Sequence, residues 1–217
     1  MKSLLAAFRI PAALLLLIGC TSPAVAQFEE GVDYLEVPLE NPGEGKIIEV
    51  LEFFYYGCPH CERLEPDLVR WKKDLPEDVR FERIPPPLNP RWTLFARAYY
   101  AAEALGVAEK GHQAMFDAMH HQDKTFKDRD DLADFYARYG ADRDTFLTLM
   151  DDFNLDRTKI RRGMGLAHRY GLQGVPTLVI DGRWRTSPSI AGGNERVLQV
   201  VDYLIGKARE ARSDARQ

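Results

Sequence analysis

Two cysteines mark the point where a strand pattern gives way to a helix pattern, and this junction constrains the fold most. Residues 46–56 have the sequence KIIEVLEFFYY, a dense β-branched and aromatic run that predicts a buried strand. Gly57 ends the run, and Cys58 and Cys61 follow with two residues between them. Apolar side chains then recur at helical spacing as far as about residue 73. Cys58 is therefore predicted at the start of a helix.

A cysteine at a helix N-terminus is expected to ionise easily. The free N–H groups and the dipole of the first turn stabilise a negative charge, which lowers the pKa of the Cys58 thiol. Pro59 suits the first turn because its missing N–H is not needed there, and His60 adds a polar or positive neighbour. Cys61, one turn along, is close enough to bridge to Cys58 and is expected to face inward. The residues predict a redox-active pair with Cys58 as the nucleophile.

A structural disulfide and a metal site are the two alternative functions for cysteines at this spacing. A disulfide across two residues closes a tiny loop and restricts the unfolded chain very little. A zinc site needs about four ligands, and the sequence has no second cysteine pair. The other histidines lie in a later helical region, where surface or core roles are expected: His112, His120, His121 and His168. The spacing favours redox chemistry, and no metal is expected.

The first 26 residues have the pattern of an export signal. Lys2 and Arg9 supply a positive start, residues 10–18 are apolar, and residues 24–26 form a small-x-small motif for cleavage after Ala26. The apolar run is shorter than the roughly 20 residues that a membrane-spanning helix requires. This pattern predicts that the mature chain begins at residue 27.

A second motif overlaps the signal. Leu-Ile-Gly-Cys at residues 17–20 is typical of a lipoprotein signal, in which Cys20 is lipidated, and both alternatives stay open. Either route exports the domain to an oxidising compartment. Either route also leaves Cys58 and Cys61 as the one pair of thiols.

The remaining patterns predict one α/β layer interrupted by helices. Five amphipathic segments separated by turn residues fill residues 91–170. The further strand candidates are residues 79–84, 177–180 and 184–186, with a hairpin turn at Asp181-Gly182 and a last helix capped by Asn194. The predicted units are an α/β domain of residues 27–90 and 171–217 and an inserted helical domain of residues 91–170.

Three segments, EVLEFFYYGCPHC, GVPTLVIDG and IAGGNERVLQVVDYL, together resemble the DsbA family of periplasmic thiol:disulfide oxidoreductases. The resemblance extends over essentially the whole mature chain, including the helical insertion. It implies a thioredoxin fold with an inserted all-helical domain. It also implies a first cysteine of very low pKa and a strongly oxidising disulfide, which are known properties of that family.

The resemblance assigns roles to six residues around the pair. Cys58 matches the exposed nucleophile and Cys61 its buried partner, while Pro59 and His60 match the dipeptide that tunes the redox potential. Val175-Pro176 resembles the cis-proline loop that lies against the disulfide. An extended backbone at Val175 is suited to pairing with a substrate strand.

Glu52 interrupts an otherwise apolar strand. A carboxylate in a strand buried on both faces needs a specific reason. In the family that this chain resembles, the glutamate that matches Glu52 lies beneath the active site and assists proton movement. Arg83 matches the basic partner of that glutamate. The alternative is an edge strand with Glu52 facing solvent.

These features imply a periplasmic enzyme that donates the Cys58–Cys61 disulfide to newly exported proteins and so promotes oxidative folding. The resemblance implies reoxidation by a DsbB-like membrane partner linked to quinone.

The formal net charge of -4 gives no indication of nucleic-acid binding. We expect a monomer with no cofactor beyond the disulfide. The rival hypotheses are a disulfide reductase or isomerase and a non-enzymatic periplasmic holdase.

Overall fold

The computed structural model describes residues 28–38, 40, 42–43 and 45–214. The predicted signal peptide, its Ala26 cleavage site and Cys20 lie outside these residues, so export and lipidation stay predictions. In the described part of the chain, no helix is both long and apolar enough to cross a bilayer.

A mixed sheet forms the centre of the described structure. Its strands are β1 (Leu35–Glu36), β2 (Ile48–Phe53), β3 (Val79–Ile84), β4 (Thr177–Ile180) and β5 (Trp184–Thr186). Their order across the sheet is β1-β5-β4-β2-β3. β2 runs parallel to β3 and antiparallel to β4, and β5 is antiparallel to both of its neighbours. β2 is thus an inner strand, as its apolar sequence predicts.

The helices follow the predicted order. The first is α1 (Pro59–Trp71), which continues into a 3₁₀ turn (Lys72–Asp74). Between β3 and β4 lie α2 (Pro90–Ala104), α3 (Ala108–His120), α4 (Arg129–Ala137), α5 (Arg143–Met150), α6 (Phe153–Leu155), a π-helical turn (Asp156–Ile160) and α7 (Arg161–Arg169). The chain ends with α8 (Pro188–Ala191) and α9 (Asn194–Asp214). This is the predicted thioredoxin arrangement with inserted helices.

Side chains of β2 alternate between two cores, because successive residues of a strand face opposite sides of the sheet. On one face Val50 packs with Leu64 and Leu68 of α1 and with the apolar side of α9. On the other face Leu51 and Phe53 pack against the end of α7. The sheet is therefore covered by helices on both sides.

A third core fills the insert and also holds the segment that follows β2. Phe54, Tyr56 and Cys61 are buried there, among aromatic side chains of α2, α3 and α4. The predicted strand of residues 46–56 ends earlier, at Phe53, because the next residues turn away from the sheet into this core. The domain limits at residues 90 and 170 stay predictions, and Ala167 of α7 packs with the sheet.

The predicted hairpin turn at Asp181-Gly182 is confirmed, whereas the predicted cap of the last helix is wrong. Asp128 and Asp142 accept hydrogen bonds from backbone N–H groups at the starts of α4 and α5. Asp181 and Gly182 have positive φ angles of 54° and 61°, as hairpin turns favour. Asn194 does not precede the last helix as its cap. It is the first residue of α9, and its side-chain amide donates to the carbonyl of Arg63.

Removing one aromatic ring tests the core of the insert. Phe146 is fully buried and stacks on Tyr136, so F146A leaves a cavity and is expected to lower the free energy of unfolding by about 3–5 kcal/mol. Phe153 is 66% exposed, and F153A is the matched control, with an expected change within about 0.5 kcal/mol. Urea unfolding followed by circular dichroism measures both. Equal losses in the two variants would contradict this assignment of the core.

Candidate active site

Cys58 occupies the predicted junction between strand and helix. It is the residue before the first turn of α1, in an extended conformation, and Pro59 is the first helical residue. Cys58 is half-buried, whereas Cys61 is fully buried, and both are free thiols in this structure. The backbone N–H of Cys58 donates to the carbonyl of Tyr55 at 3.0 Å, which fixes the turn that aims the sulfur outward.

The two thiols have opposite tendencies to ionise. A hydrogen bond from Cys61 lowers the pKa of Cys58 to about 6 against the effect of partial burial, with help from the backbone N–H groups of Cys61 and His60 and from the His60 ring. Burial, together with the neighbouring Cys58 sulfur, raises the pKa of Cys61 well above its usual range. Near neutral pH the reduced pair therefore holds a thiolate at Cys58 and a protonated thiol at Cys61.

The loop before β4 lies directly against the nucleophile. The Val175–Pro176 peptide bond is cis, as the resemblance implies, and Cys58 Sγ lies 3.3 Å from the carbonyl of Val175, to which it donates when the thiol is protonated. Thr177 Oγ1 donates to the carbonyl of Gly174 at 2.8 Å and braces the loop. A cleft of about 290 Å³ runs beside it, lined by residues that include His60, Val175, Pro176, Ser187 and Ile190. The cleft therefore adjoins the cis-proline loop that contacts Cys58.

An aromatic pair shapes the rim of the site on the other side of Cys58. Tyr55 stacks on Trp92 with 4.3 Å between ring centroids. A Cβ at position 57 would lie 2.5 Å from Cε1 of Tyr55, so Gly57 is required for this ring to lie over the turn. Both rings are only partly buried, so they form a wall of the site next to the core of the insert.

Glu52 is buried, and the alternative of a solvent-facing edge strand is wrong. Its side chain is 1% exposed and lies opposite Arg83 in the register of β2 and β3. Arg83 Nε donates to Glu52 Oε2 at 3.2 Å. Burial outweighs Arg83 and, with the charge of Glu65, raises the pKa of Glu52 to about 7. The charge of Glu52 in turn raises the pKa of Cys61.

Arg83 joins three carboxylates from three elements. Besides Glu52 of β2, its Nη2 donates to Glu65 of α1 at 2.6 Å, and its Nη1 donates to Glu109 of α3 at 2.5 Å. Sequence reasoning missed Glu65 and Glu109. A signal for Glu65 was present, because it lies four residues after Cys61 and therefore on the same face of the helix.

Two histidines of α3 bind the segment that leads to Cys58. His112 Nδ1 lies 2.8 Å from the hydroxyl of Tyr56, and His120 Nε2 lies 2.7 Å from the carbonyl of the same residue. The other nitrogen of His112, Nε2, is 3.4 Å from Glu65 Oε2. The sequence predicted only surface or core positions for these histidines, because nothing local to α3 identifies their partners.

Within the described residues, no group of three or more His, Cys, Asp or Glu side chains is arranged to hold a metal ion. The site therefore consists of two unlike thiols, a cis-proline loop and a buried charge network. Thiols of this kind suit thiol–disulfide exchange, in which the more easily ionised sulfur is the point of attack.

The chain is similar to known proteins in sequence and in fold. Residues 49–204 match the family model described as a DSBA-like thioredoxin domain. The thiol:disulfide interchange protein DsbA of Pseudomonas syringae pv. tomato is 39% identical over 204 residues, which cover 92% of this chain and 94% of the relative. DsbA of Azotobacter vinelandii is 40% identical over 190 residues, covering 86% and 87%.

Solved structures of similar fold come from the same family as the sequence relatives. The crystal structure of Pseudomonas aeruginosa DsbA has a TM-score of 0.81 at 36% identity, covering 86% of this chain and 97% of that one. The fold class predicted from the sequence is therefore confirmed. The chain belongs to the DSBA-like thioredoxin family, and it is a thiol:disulfide oxidoreductase.

Proposed function

We propose that this protein oxidises pairs of thiols in newly exported proteins by donating its Cys58–Cys61 disulfide. A substrate thiolate attacks Cys58 Sγ, the bond between the two enzyme sulfurs breaks, and Cys61 leaves and takes up a proton. A second substrate thiolate attacks the substrate sulfur of the mixed disulfide, and Cys58 leaves as a thiolate. The substrate loses two electrons, and the enzyme gains them.

The observation that carries this proposal is the unequal placement of the two cysteines, since Cys58 is half-buried at the start of α1 and Cys61 is fully buried one turn along. With a pKa of about 6, Cys58 is a stable thiolate and a good leaving group at neutral pH. Electrons therefore flow from substrate to enzyme, and the reduced enzyme must be reoxidised. The partner that we propose is a DsbB-like membrane protein that passes electrons to quinone, with no cofactor in this chain beyond the disulfide.

Other predicted site residues receive supporting roles. Glu52 supplies the proton that Cys61 takes up, because a pKa of about 7 keeps the carboxyl partly protonated at neutral pH. The role of Arg83 is to hold Glu52 in place through its hydrogen bond. Val175 and Pro176 present backbone to an extended substrate segment. Pro59 and His60 tune the redox potential from the first turn of α1.

The location and assembly state belong to the same proposal. We place the enzyme in the periplasm, either soluble after cleavage at Ala26 or anchored through a lipid on Cys20. It acts as a monomer.

A disulfide reductase or isomerase would use the same thiols but would require a partner that keeps them reduced, and a holdase would not require Cys58 at all.

Alkylation identifies the nucleophile. Only the thiolate reacts, so at pH 5 roughly a tenth of Cys58 is reactive, while Cys61 stays protonated. Brief treatment of the reduced protein with iodoacetamide is expected to label Cys58 almost exclusively, as measured by mass spectrometry of peptides. The C58S variant is the control and should take up almost no label. Equal labelling of the two cysteines in the native chain would refute the assignment.

Replacement of Glu52 by Gln tests the proton donor. E52Q keeps the shape and the hydrogen bond from Arg83 but does not titrate. We expect the rate of exchange with glutathione to lose its inflection near pH 7 and to fall by up to about 100-fold at neutral pH. E49Q is the matched control, because Glu49 lies on the same strand, is partly exposed and pairs with Arg80. Unchanged exchange kinetics in E52Q would show that Glu52 is not the proton donor to Cys61.

The relative stability of the two redox forms tests the direction of the reaction. The folded pKa of Cys58, about 6, lies below its unfolded value of 9.0. A lowered pKa contributes stability to the reduced form that is fully present above the unfolded value and is lost as pH falls through about 6. The disulfide closes only a tiny loop, so its opposing contribution is small. The reduced form is expected to melt at a higher temperature than the oxidised form at pH 7.

Scanning calorimetry of both forms from pH 4 to 8 measures this difference, which should narrow in acid. A double variant, C58S with C61S, is the control and should melt at the same temperature with and without reductant. By a thermodynamic cycle, a more stable reduced form means a more oxidising disulfide than the same pair in an unfolded chain. An oxidised form that melts higher at pH 7 would instead favour the reductase.

A further inference from the structure

We propose that His112, on α3 of the insert, is a positioning residue that decides which of two buried carboxylates, Glu52 or Glu65, keeps the proton exchanged with Cys61. The inference rests on the proposed role of Glu52 as the proton donor. It adds a residue from the helical insert to the chemistry of the cysteine pair.

The two carboxylates share one guanidinium. Arg83 Nε lies 3.2 Å from Glu52 Oε2, and Arg83 Nη2 lies 2.6 Å from Glu65 Oε1. All three side chains are buried, and the second oxygens, Glu52 Oε1 and Glu65 Oε2, have no hydrogen-bond partner in the described structure. One buried positive charge does not compensate two buried negative charges, so one carboxylate binds a proton most easily.

His112 makes the two carboxylates unequal. Its Nε2 lies 3.4 Å from Glu65 Oε2, the oxygen that Arg83 leaves free. Because an ionised carboxylate only accepts hydrogen bonds, we assign the ring proton to Nε2, which faces Glu65. Nδ1, which lies 2.8 Å from the hydroxyl of Tyr56, is then the acceptor of that hydroxyl proton. The contact is too poorly aligned to be a full hydrogen bond, so the ring acts on Glu65 mainly through its N–H dipole, which is effective in a buried site.

Aromatic packing fixes the orientation of this dipole. The His112 ring lies 5.1 Å from the ring of Phe54 and 5.3 Å from that of Phe116, between centroids, with both pairs edge to face. The ring cannot turn away from Glu65 without disturbing these contacts and the bond to Tyr56. The donor is therefore directed at Glu65 before any proton moves.

The pKa directions agree with this geometry. Burial raises the pKa of Glu65, but His112, Arg83 and Lys72 outweigh it, so the pKa of Glu65 is lowered. Burial, with the charge of Glu65, raises the pKa of Glu52 to about 7 against Arg83 and Lys72. Burial also lowers the pKa of His112, so the ring stays neutral and keeps a single N–H donor. The two carboxylates titrate as one coupled pair.

Other charged or titratable groups also face this network, and they come from five elements. They are Cys61 of α1, Lys72 of the 3₁₀ turn, Glu109 of α3, Tyr99 of α2 and Tyr136 of α4. Glu109 is 68% exposed on its side chain and pairs with Lys72 at 3.2 Å, so solvent and a second cation compensate its charge. His112 therefore remains the group that separates Glu52 from Glu65.

Replacement of His112 by Phe tests the inference. The new ring suits a pocket lined by aromatic side chains, but Glu65 loses its donor, and the proton should move from Glu52 to Glu65. We expect the inflection in exchange rate near pH 7 to move about one unit lower, the scale of one lost interaction with a charged group. In H112Q the amide again offers a donor to Glu65, and the native profile should return.

Infrared spectroscopy locates the proton directly. In the native chain near neutral pH, the C=O band of a buried protonated carboxyl should disappear in E52Q. In E65Q the band should persist but titrate at lower pH, because the charge of Glu65 no longer raises the pKa of Glu52. In the H112F background the assignment should reverse. Both double variants are therefore compared over a range of pH, and a band that E52Q removes from the H112F background at a pH at which E65Q retains it would overturn the inference.

His120 provides the matched control on the same helix. H120L removes the contact with the carbonyl of Tyr56, as H112F removes the contact with its hydroxyl, but His120 does not contact Glu65 in the described structure. We expect H120L to keep the native inflection. Equal shifts in H120L and H112F would mean that only the docking of α3 matters, and would overturn the proposal.

A further variant covers the case in which H112F does not fold. Y56F removes the donor that fixes the tautomer of His112, so the inflection should move in the same direction by a smaller amount, and no movement would overturn the inference. The outcome also separates two failures. An inflection that E52Q abolishes but H112F and Y56F leave in place removes only the role of His112. Unchanged kinetics in E52Q would remove the roles of both Glu52 and His112.

Discussion

The buried guanidinium of Arg83 is the interaction on which the arrangement of the active site depends. It meets Glu52 of β2, Glu65 of α1 and Glu109 of α3, and so joins the sheet, the helix of the cysteines and the insert at one point. Moving a charge out of water is expensive unless partners of good geometry surround it. A planar guanidinium with five donors can meet three carboxylates at once, which a lysine ammonium does less well. The three elements are therefore held in fixed relation around the space beneath Cys61.

The unequal character of the two cysteines follows from how the chain leaves the sheet. After Phe53 the backbone turns, and Phe54 and Tyr56 enter the core of the insert. That turn places Cys58 at the exposed start of α1, where backbone N–H groups stabilise a thiolate, and Cys61 one turn deeper, where burial disfavours one. The insert is thus a part of the redox site, because it covers Cys61 and binds Tyr56 from α3.

The sequence predicted those parts of the structure that local pattern determines. β3 and β4 have the predicted limits and β5 begins at the predicted residue, because proline or turn residues adjoin each of these strands. β1, with two residues, and α8, with four, are too short to show a period and were not predicted. The end of β2 was placed too late, because an aromatic run continues into a different core, and only tertiary packing separates the two parts.

In the active site, too, the sequence predicted the residues that a local pattern marks and missed those that only tertiary contacts bring together. The motif identified Cys58 and Cys61, and the break in apolar pattern identified Glu52, because a carboxylate inside such a strand is conspicuous. Glu65 and His112 are ordinary residues of amphipathic helices, and their roles arise from contacts with elements distant in the sequence. Periodicity places such residues on a face of a helix but does not name their partners.

A buried charge network of this kind has no evident advantage for stability alone, since well-packed apolar side chains often serve equally well. Its position beneath Cys61 suggests what it does instead. When the disulfide is reduced, Cys61 is a buried thiol whose raised pKa requires a proton, and water does not reach it directly. Two buried carboxylates share one guanidinium here, and in the proposed mechanism this pair holds the proton that Cys61 takes up. In the mechanism that we propose, the network lets the electron transfer at the sulfur of Cys58 proceed together with a proton transfer to the buried sulfur of Cys61, without opening the fold.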